Sequence, residues 1–339
     1  MTPEEHLKLA EPNAEFLAFV KANGAPPSPP ADVEFFRRMS ALRLKQIVET
    51  LGDAPPELRE EEVDIPSRDG SKIKAWLVVP TSPPVSGSPV VVWFHGGGFC
   101  IGDGRDELPL ARAFALQAGA TTLSVSYRLA PEHRFPAAVH DAQDTLKWVT
   151  ENTSKLNVNL SRGFIVGGVS AGANIATAIA LSSRDENLSP PLTGQILCVP
   201  PLLPKSVYAS LGEKYTSRLL SREQNGNDGF LSPAVVKMFE ESYNGDDSSP
   251  LYTPFQHSSG LSNLPPTYVQ ACGLDPFRDE DILYEEKLRL EYGVQTRLDI
   301  YSGLPHHFWG FFPMLEVSQQ HKRDIIAGLK WILDSKRAR

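Results

Sequence analysis

The chain of 339 residues contains only three cysteines, Cys100, Cys198 and Cys272, far apart and without a CxxC pair. So few exclude a disulfide-built secreted scaffold, and the spacing excludes a thiolate zinc site. The three read as small buried hydrophobes in a reducing compartment. Basic residues are also in deficit: 33 Lys and Arg against 41 Asp and Glu give a formal net charge of −8. A protein that grips a phosphate backbone needs a basic stripe, so no nucleic-acid partner is expected. No apolar run approaches the ~18 residues of a membrane span. The opening residues Met1 to His6 are acidic and lack the basic region and apolar core of a signal peptide, so the expected location is cytoplasmic. What is present, 41% hydrophobic and 22% charged residues, is the composition of a folded protein with one large domain or two ordinary ones.

The pattern of apolar residues divides the chain. Through residue 55, Leu9, Phe16, Leu17, Val20, Phe35, Phe36, Met39 and Leu42 recur largely at helical spacings, interrupted by the prolines at 26–30. Two alternating segments, 62–66 and 72–79, flank the turn signal Arg68-Asp69-Gly70 and read as an antiparallel hairpin. From Pro89 onward, short apolar segments at 90–94, 121–127, 163–167, 194–199, 267–272 and 297–301 alternate with amphipathic stretches at 107–118, 137–152, 171–182, 279–292 and 317–334. Strand–helix alternation of this kind predicts an α/β fold with an eight-stranded, mostly parallel sheet flanked by helices. The segment 201–255 breaks the rhythm. We expect it to form a cap insertion with the N-terminal helices of residues 1–55, over a catalytic domain built from 56–200 and 256–339.

Two motifs carry chemistry. The pentapeptide Gly168-Val169-Ser170-Ala171-Gly172 joins a strand-like segment to a helix-like one. A sharp turn there needs glycines beside the serine, lifts its hydroxyl above the sheet and sets it at a helix N-terminus. The plain alternative is a glycine-rich turn with an idle serine. The second motif, His95-Gly96-Gly97-Gly98-Phe99, follows the strand at 90–94. Consecutive glycines let backbone amides reach a developing oxyanion, with the N–H of Ala171 as a further donor. A phosphate cradle would need a GxxxxGK[ST] or GxGxxG pattern, which is missing. His95 reads as a hydrogen-bonding residue that shapes this loop. Phe99 makes the acyl side apolar.

A serine needs a base, and the base needs an orienting acid. His257 lies in a polar loop and His321 in the last amphipathic stretch, which leaves His306 and His307, just past the final strand. Among the acids of 275–280, Asp279 and Glu280 read as first-turn helix residues, and Asp275 follows the strand at 267–272 most closely.

These motifs together resemble the hormone-sensitive-lipase family of α/β-hydrolase carboxylesterases. The family's HGGG signature stands as His95 to Gly98, its Tyr-Arg-Leu-Ala-Pro-Glu signature as Tyr127 to Glu132, and its Asp-Pro-Leu-Arg-Asp-Glu segment as Asp275 to Glu280 with Phe277 for leucine. Phe135-Pro136-Ala137-Ala138 and Asp141 also fit. The resemblance spans roughly residues 60–335. It implies a triad of Ser170, Asp275 and His306, an oxyanion hole of Gly97, Gly98 and Ala171, and a helical cap. Besides Phe277, three positions depart from the family pattern: Val169 replaces an aspartate, Ala173 a glycine, and His307 the glycine of His-Gly-Phe.

The expected activity is serine-dependent ester hydrolysis through an acyl-enzyme, without metal or organic cofactor. Apolar residues of the cap and rim (Phe16, Phe35, Phe36, Tyr208, Phe230 and Trp309) point to short or medium acyl chains or an acylated natural product. The general look is that of fungal and microbial members, including those of secondary metabolism. The same machinery could cleave a thioester or a lactone. A ligand-binding receptor of similar fold would lack the triad histidine. The expected partner is a small-molecule ester, with Phe99 and Trp309 in contact with it, and the family resemblance implies a homodimer paired through the edge strand at 296–301.

Overall fold

The computed structural model describes residues 1–25, 27–226 and 231–335. Its centre is one eight-stranded sheet in the order β1-β2-β4-β3-β5-β6-β7-β8. The strands are β1 (Leu58–Pro66), β2 (Lys72–Pro80), β3 (Val90–Phe94), β4 (Thr121–Ser126), β5 (Phe164–Val169), β6 (Gly194–Cys198), β7 (Thr267–Cys272) and β8 (Thr296–Tyr301). β1 pairs antiparallel with β2, and β2 antiparallel with β4; every other pairing is parallel. The strands expected from apolar patterning all form, displaced at their ends by a few residues at most.

β3 shows why short runs of β-branched residues sufficed. Val90, Val92 and Phe94 face one core cluster, while Val91 and Trp93 face the other, so both sides of the strand are dry. The first cluster is covered by α5 (Ala137–Glu151), α6 (Ala171–Asp185) and α8 (Arg278–Glu286); the second by α4 (Leu108–Ala118) and α9 (Glu316–Ser335). Three helices precede the sheet, α1 (Pro3–Lys8), α2 (Ala14–Asn23) and α3 (Val33–Leu51), and α7 (Pro233–Tyr243) lies between β6 and β7. The chain leaves β3 toward β4 on one side and returns to β5 on the other. That switch point opens a crevice at the carboxyl ends of β3 and β5, where open sheets hold their ligands.

No helix among the described residues is long and apolar enough to cross a membrane. The three cysteines are buried and unpaired, as expected. Phe230, one of the aromatics assigned to the rim, lies outside the described residues.

Candidate active site

Ser170 sits where β5 passes into α6, with φ 52° and ψ −120°, a backbone conformation that L-residues rarely adopt. The surroundings hold it there. Its N–H donates to the Cys198 carbonyl at 2.8 Å, and its carbonyl accepts from Ala173 and Asn174 at 2.9 and 3.0 Å. Gly168 and Gly172 are required by close approach: a Cβ on Gly172 would collide with the Phe94 and His95 carbonyls, and one on Gly168 would lie 2.5 Å from the Phe94 carbonyl oxygen. The tight elbow expected from the pentapeptide is thus pressed against the end of β3.

The glycine loop beyond β3 is shaped by its neighbours. Gly97 and Gly98 have φ of 125° and 57°, and a Cβ on either would strike the Ile101 carbonyl or the Phe239 ring. His95 is buried, its Nδ1 bonds the Gly96 carbonyl at 2.8 Å, and its ring stacks on Tyr127 at 4.3 Å. Tyr127 in turn donates its hydroxyl to the His95 carbonyl at 2.9 Å. Burial pushes the His95 pKa down, so the ring is neutral and structural, as the sequence suggested.

The remaining residues of the Tyr127 to Glu132 signature anchor the same region. Arg128 forks onto the fully buried Asp141 with contacts of 2.6 to 3.0 Å. Glu132 receives Arg37 of α3 at 2.6 and 2.8 Å, and Arg37 also donates to the Ala130 carbonyl at 3.0 Å. One arginine therefore ties α3 down beside the glycine loop.

Asp275 and His306 meet as expected. The carboxylate is completely buried; Oδ2 lies 2.6 Å from His306 Nδ1, and Oδ1 accepts the Phe277 N–H at 2.9 Å. With Nδ1–H donated to the carboxylate, Nε2 is left as the free base of the ring. Ser170, His306 and the glycines 96–98 line one cavity of about 600 Å³. His307 lines it too but makes no bond to Asp275. Its pKa is held well below the usual value by burial, with Arg43 and the neighbouring His306 adding to the effect. Asp279 and Glu280 open α8, as expected, and serve as buried anchors. Asp279 takes His6 Nδ1, Arg278 Nε and the N–H groups of Leu220 and Ser221, each at 2.7 Å. Glu280 takes the Leu202 N–H at 2.7 Å, and the Leu203 N–H as well.

Three expectations for contact residues change. Trp309 does not border the cavity: it stacks on His321 at 3.7 Å, because the turn after His307 directs it toward α9. Phe16 packs edge-on against Phe312 at 5.2 Å, and Tyr208 belongs to a separate cluster with Leu203 and Leu219. Phe35, Phe36 and Phe99 do line the cavity, joined by Phe239 and Tyr252, neither of which was among the aromatics expected at the cap and rim. Val169, the residue in place of the family's aspartate, is buried with Trp93, Cys198 and Val199 and presents an apolar wall beside Ser170.

Sequence reasoning also missed the residues that brace the acid and histidine loops. Asn225, within the segment expected as a cap insertion, donates to the carbonyls of Gly273 and Asp275 at 3.1 and 2.9 Å. The link between α1 and α2 crosses both loops: Gly303 N–H donates to the Leu9 carbonyl at 2.7 Å, and Asn13 N–H to the Gly303 carbonyl at 3.2 Å. Neither Gly273 nor Gly303 has room for a Cβ beneath that crossing. Asn174 of α6 holds the Pro201 and Tyr252 carbonyls at 2.8 and 2.9 Å, pinning both ends of the segment between β6 and β7 to the helix that follows Ser170. No sequence motif announces such backbone contacts.

A strained serine at a switch point, facing a glycine loop and a buried Asp–His pair, belongs to the α/β hydrolases as a class. The sequence pattern of the alpha/beta hydrolase fold family matches residues 91–310, and the chain belongs to that family. An AB hydrolase superfamily protein of Schizosaccharomyces pombe is 35% identical over 96% of this chain and 95% of its own length. The carboxylesterase NlhH of Mycobacterium tuberculosis is 33% identical over 86% of this chain and 88% of its own. Among solved structures, vibralactone cyclase aligns over 97% of both chains with a TM-score of 0.88 at 29% identity.

Proposed function

We propose that the protein is a serine carboxylic ester hydrolase with Ser170 as nucleophile, His306 as base and Asp275 as orienting acid. The observation that carries this reading is the buried 2.6 Å contact of Asp275 with His306, opening onto the same cavity as the strained Ser170. His306 Nε2 takes the Ser170 proton as Oγ attacks the ester carbonyl. The amides of Gly97, Gly98 and Ala171 receive the oxyanion, and the protonated His306 passes its proton to the leaving alcohol. Water then repeats the sequence on the acyl-enzyme and releases the acid.

The helices before β1 and the insertion around α7 act as the cap. They contribute Phe35, Phe36, Leu203, Val236 and Phe239 to a largely apolar cavity, which suits short to medium acyl chains. A cyclase among the structural relatives keeps lactone chemistry open as a second reading, since an internal hydroxyl could take the place of water. Three buried free thiols agree with a reducing, cytoplasmic location. The open edge of β8 is the surface through which we expect two copies to pair.

The test is hydrolysis of 4-nitrophenyl esters from acetate to octanoate by wild type, Ser170→Ala and His306→Ala. A serine esterase requires serine-dependent turnover. His306→Ala must also lose far more kcat than His307→Ala, and the opposite order would reassign the base.

A further inference from the structure

The proposed mechanism leaves His307 without a task, although it stands beside the base and departs from the family pattern. It faces Arg43. A Cβ on Gly310 would lie 2.5 Å from His307 Cε1, 2.7 Å from its Nε2 and 2.8 Å from Arg43 Nη2, so guanidinium and imidazole converge on the space that this glycine leaves open. Among the described residues, Arg43 makes no hydrogen bond and no ion pair within 4 Å, and the His307 ring makes no hydrogen bond. The other arginine of the cavity wall is committed: Arg222 bonds Glu280, Glu240 and the Leu203 carbonyl.

The position of Arg43 along α3 gives the pair a direction. Phe36 packs on Phe239 at 5.2 Å, and Phe239 covers Gly98 of the glycine loop. Arg43 follows Phe36 by seven residues on the same helix, about two turns or ~10 Å farther on. The cavity thus has an apolar end over the glycine loop and a polar end at Arg43 and His307, where Gln46, Asp106 and Glu107 also border it. Asp106 accepts the Asp103 N–H at 2.9 Å through Oδ2, its Oδ1 is buried without a hydrogen-bond partner, and burial raises its pKa against the pull of His95 and Arg43. Burial pushes the Glu107 pKa up to about 7, so this side chain can stand protonated and donate. The ring of His307, kept neutral by burial and by Arg43, offers one N–H and does not repel the guanidinium.

We propose that Arg43 and His307 form a carboxylate-binding subsite, so that the preferred substrates are esters bearing a second, free carboxylate roughly two helical turns from the oxyanion loop. A guanidinium fork matches a carboxylate in two parallel hydrogen bonds, and a low-dielectric wall strengthens them. Arg43 feels the charge of Asp106 and Glu107 but makes no hydrogen bond to either, so its guanidinium donors remain open to a ligand carboxylate. This inference rests on the esterase reading and names the substrate class of the same site.

The experiment compares two matched pairs of esters. Mono-(4-nitrophenyl) suberate is set against 4-nitrophenyl octanoate, and 4-butyryloxycinnamate against 4-vinylphenyl butyrate, so the charge is carried near that distance once on the acyl side and once on the alcohol side. Each rate is normalised to folded enzyme by titration with a fluorophosphonate. The quantity compared is the ratio of kcat/KM for the charged ester to that for its neutral partner. In at least one pair this ratio should fall about tenfold in Arg43→Gln, the loss expected of one charge-assisted hydrogen bond, and Arg43→Lys should recover part of it. His307→Phe should lower the same ratio, less steeply. A ratio unchanged by Arg43→Gln in both pairs overturns the subsite and leaves the esterase reading standing. Absence of Ser170-dependent hydrolysis of the neutral esters by wild type would overturn the esterase reading and the subsite with it.

Discussion

Replacing Asp275 by asparagine removes one charge and no volume, and the geometry around the carboxylate dictates the outcome. Each carboxylate oxygen accepts one hydrogen bond, from Phe277 N–H at 2.9 Å and from His306 Nδ1 at 2.6 Å. An asparagine has a single acceptor oxygen. If it turns that oxygen to His306, its NH2 group meets the Phe277 N–H, donor against donor. If it turns the oxygen to Phe277, the NH2 group faces Nδ1 and selects the tautomer protonated on Nε2, which cannot take the serine's proton. The backbone N–H cannot move without breaking the start of α8, so the second arrangement wins. The imidazolium formed during attack also loses its buried counter-charge. Together these cost about 10³- to 10⁴-fold in kcat, or ~4–5 kcal/mol, with a much smaller change in KM. Stability should change little, because the variant no longer buries a carboxylate. Steady-state kinetics on a 4-nitrophenyl ester, beside a melting curve, measure both. An Asp275→Asn enzyme that folds and keeps more than a tenth of the wild-type kcat would refute the assignment of the acid.

Other residues give independent tests. His321 is buried against Trp309, and burial pushes its pKa down to about 3. The unfolded chain therefore binds a proton below about pH 6.5 that the folded chain refuses, and stability falls as pH falls through that window. Relative to pH 8 the loss should be about 2 kcal/mol at pH 5, and His321→Phe should flatten it; equal pH dependence in both proteins, read from urea melts, would contradict this. Asn225→Ala removes two buried hydrogen bonds from the Asp275 loop, but Arg278 still donates to both carbonyls. The expected cost is therefore about 1–2 kcal/mol of stability with a fall in kcat, and an unaltered melting curve would count against the brace. Gly172→Ala drives a methyl group into the Phe94 carbonyl. It should destabilise the fold by several kcal/mol (~2 or more) and abolish turnover, and a soluble, active variant would rule out so close an approach of β3 to the elbow.

The sheet was legible because burial on two faces leaves a plain trace: β3 and β5 are continuous apolar runs, and β1 and β2 alternate around a turn signal. The places of Ser170, the glycine loop and Asp275 were legible for another reason: each lies within a few residues of a strand end, which fixes its position in the crevice with little help from the rest of the chain. Position after β8 left His306 and His307 open, and only the family resemblance chose between them. Trp309 shows where this stops. It also follows the last strand, but the left-handed backbone of His307 (φ 56°) redirects the chain, and the indole packs on α9 instead. Asn225, Leu9 and Asn13 were invisible because they act through backbone groups far away in sequence, which leave no periodic or compositional mark. Arg43 left a faint one. It continues the spacing of Phe36 and Met39 on the face of α3 that borders the cavity, a charged residue where a nonpolar one would be expected.

The central claim is that Ser170 alone is the nucleophile, activated by its setting. Labelling the folded protein with a fluorophosphonate and locating the adduct by mass spectrometry of peptides tests it most directly. One adduct is expected, on Ser170, formed in step with loss of esterase activity and absent from Ser170→Ala. An adduct on another residue, or inactivation that leaves Ser170 unmodified, would contradict the claim.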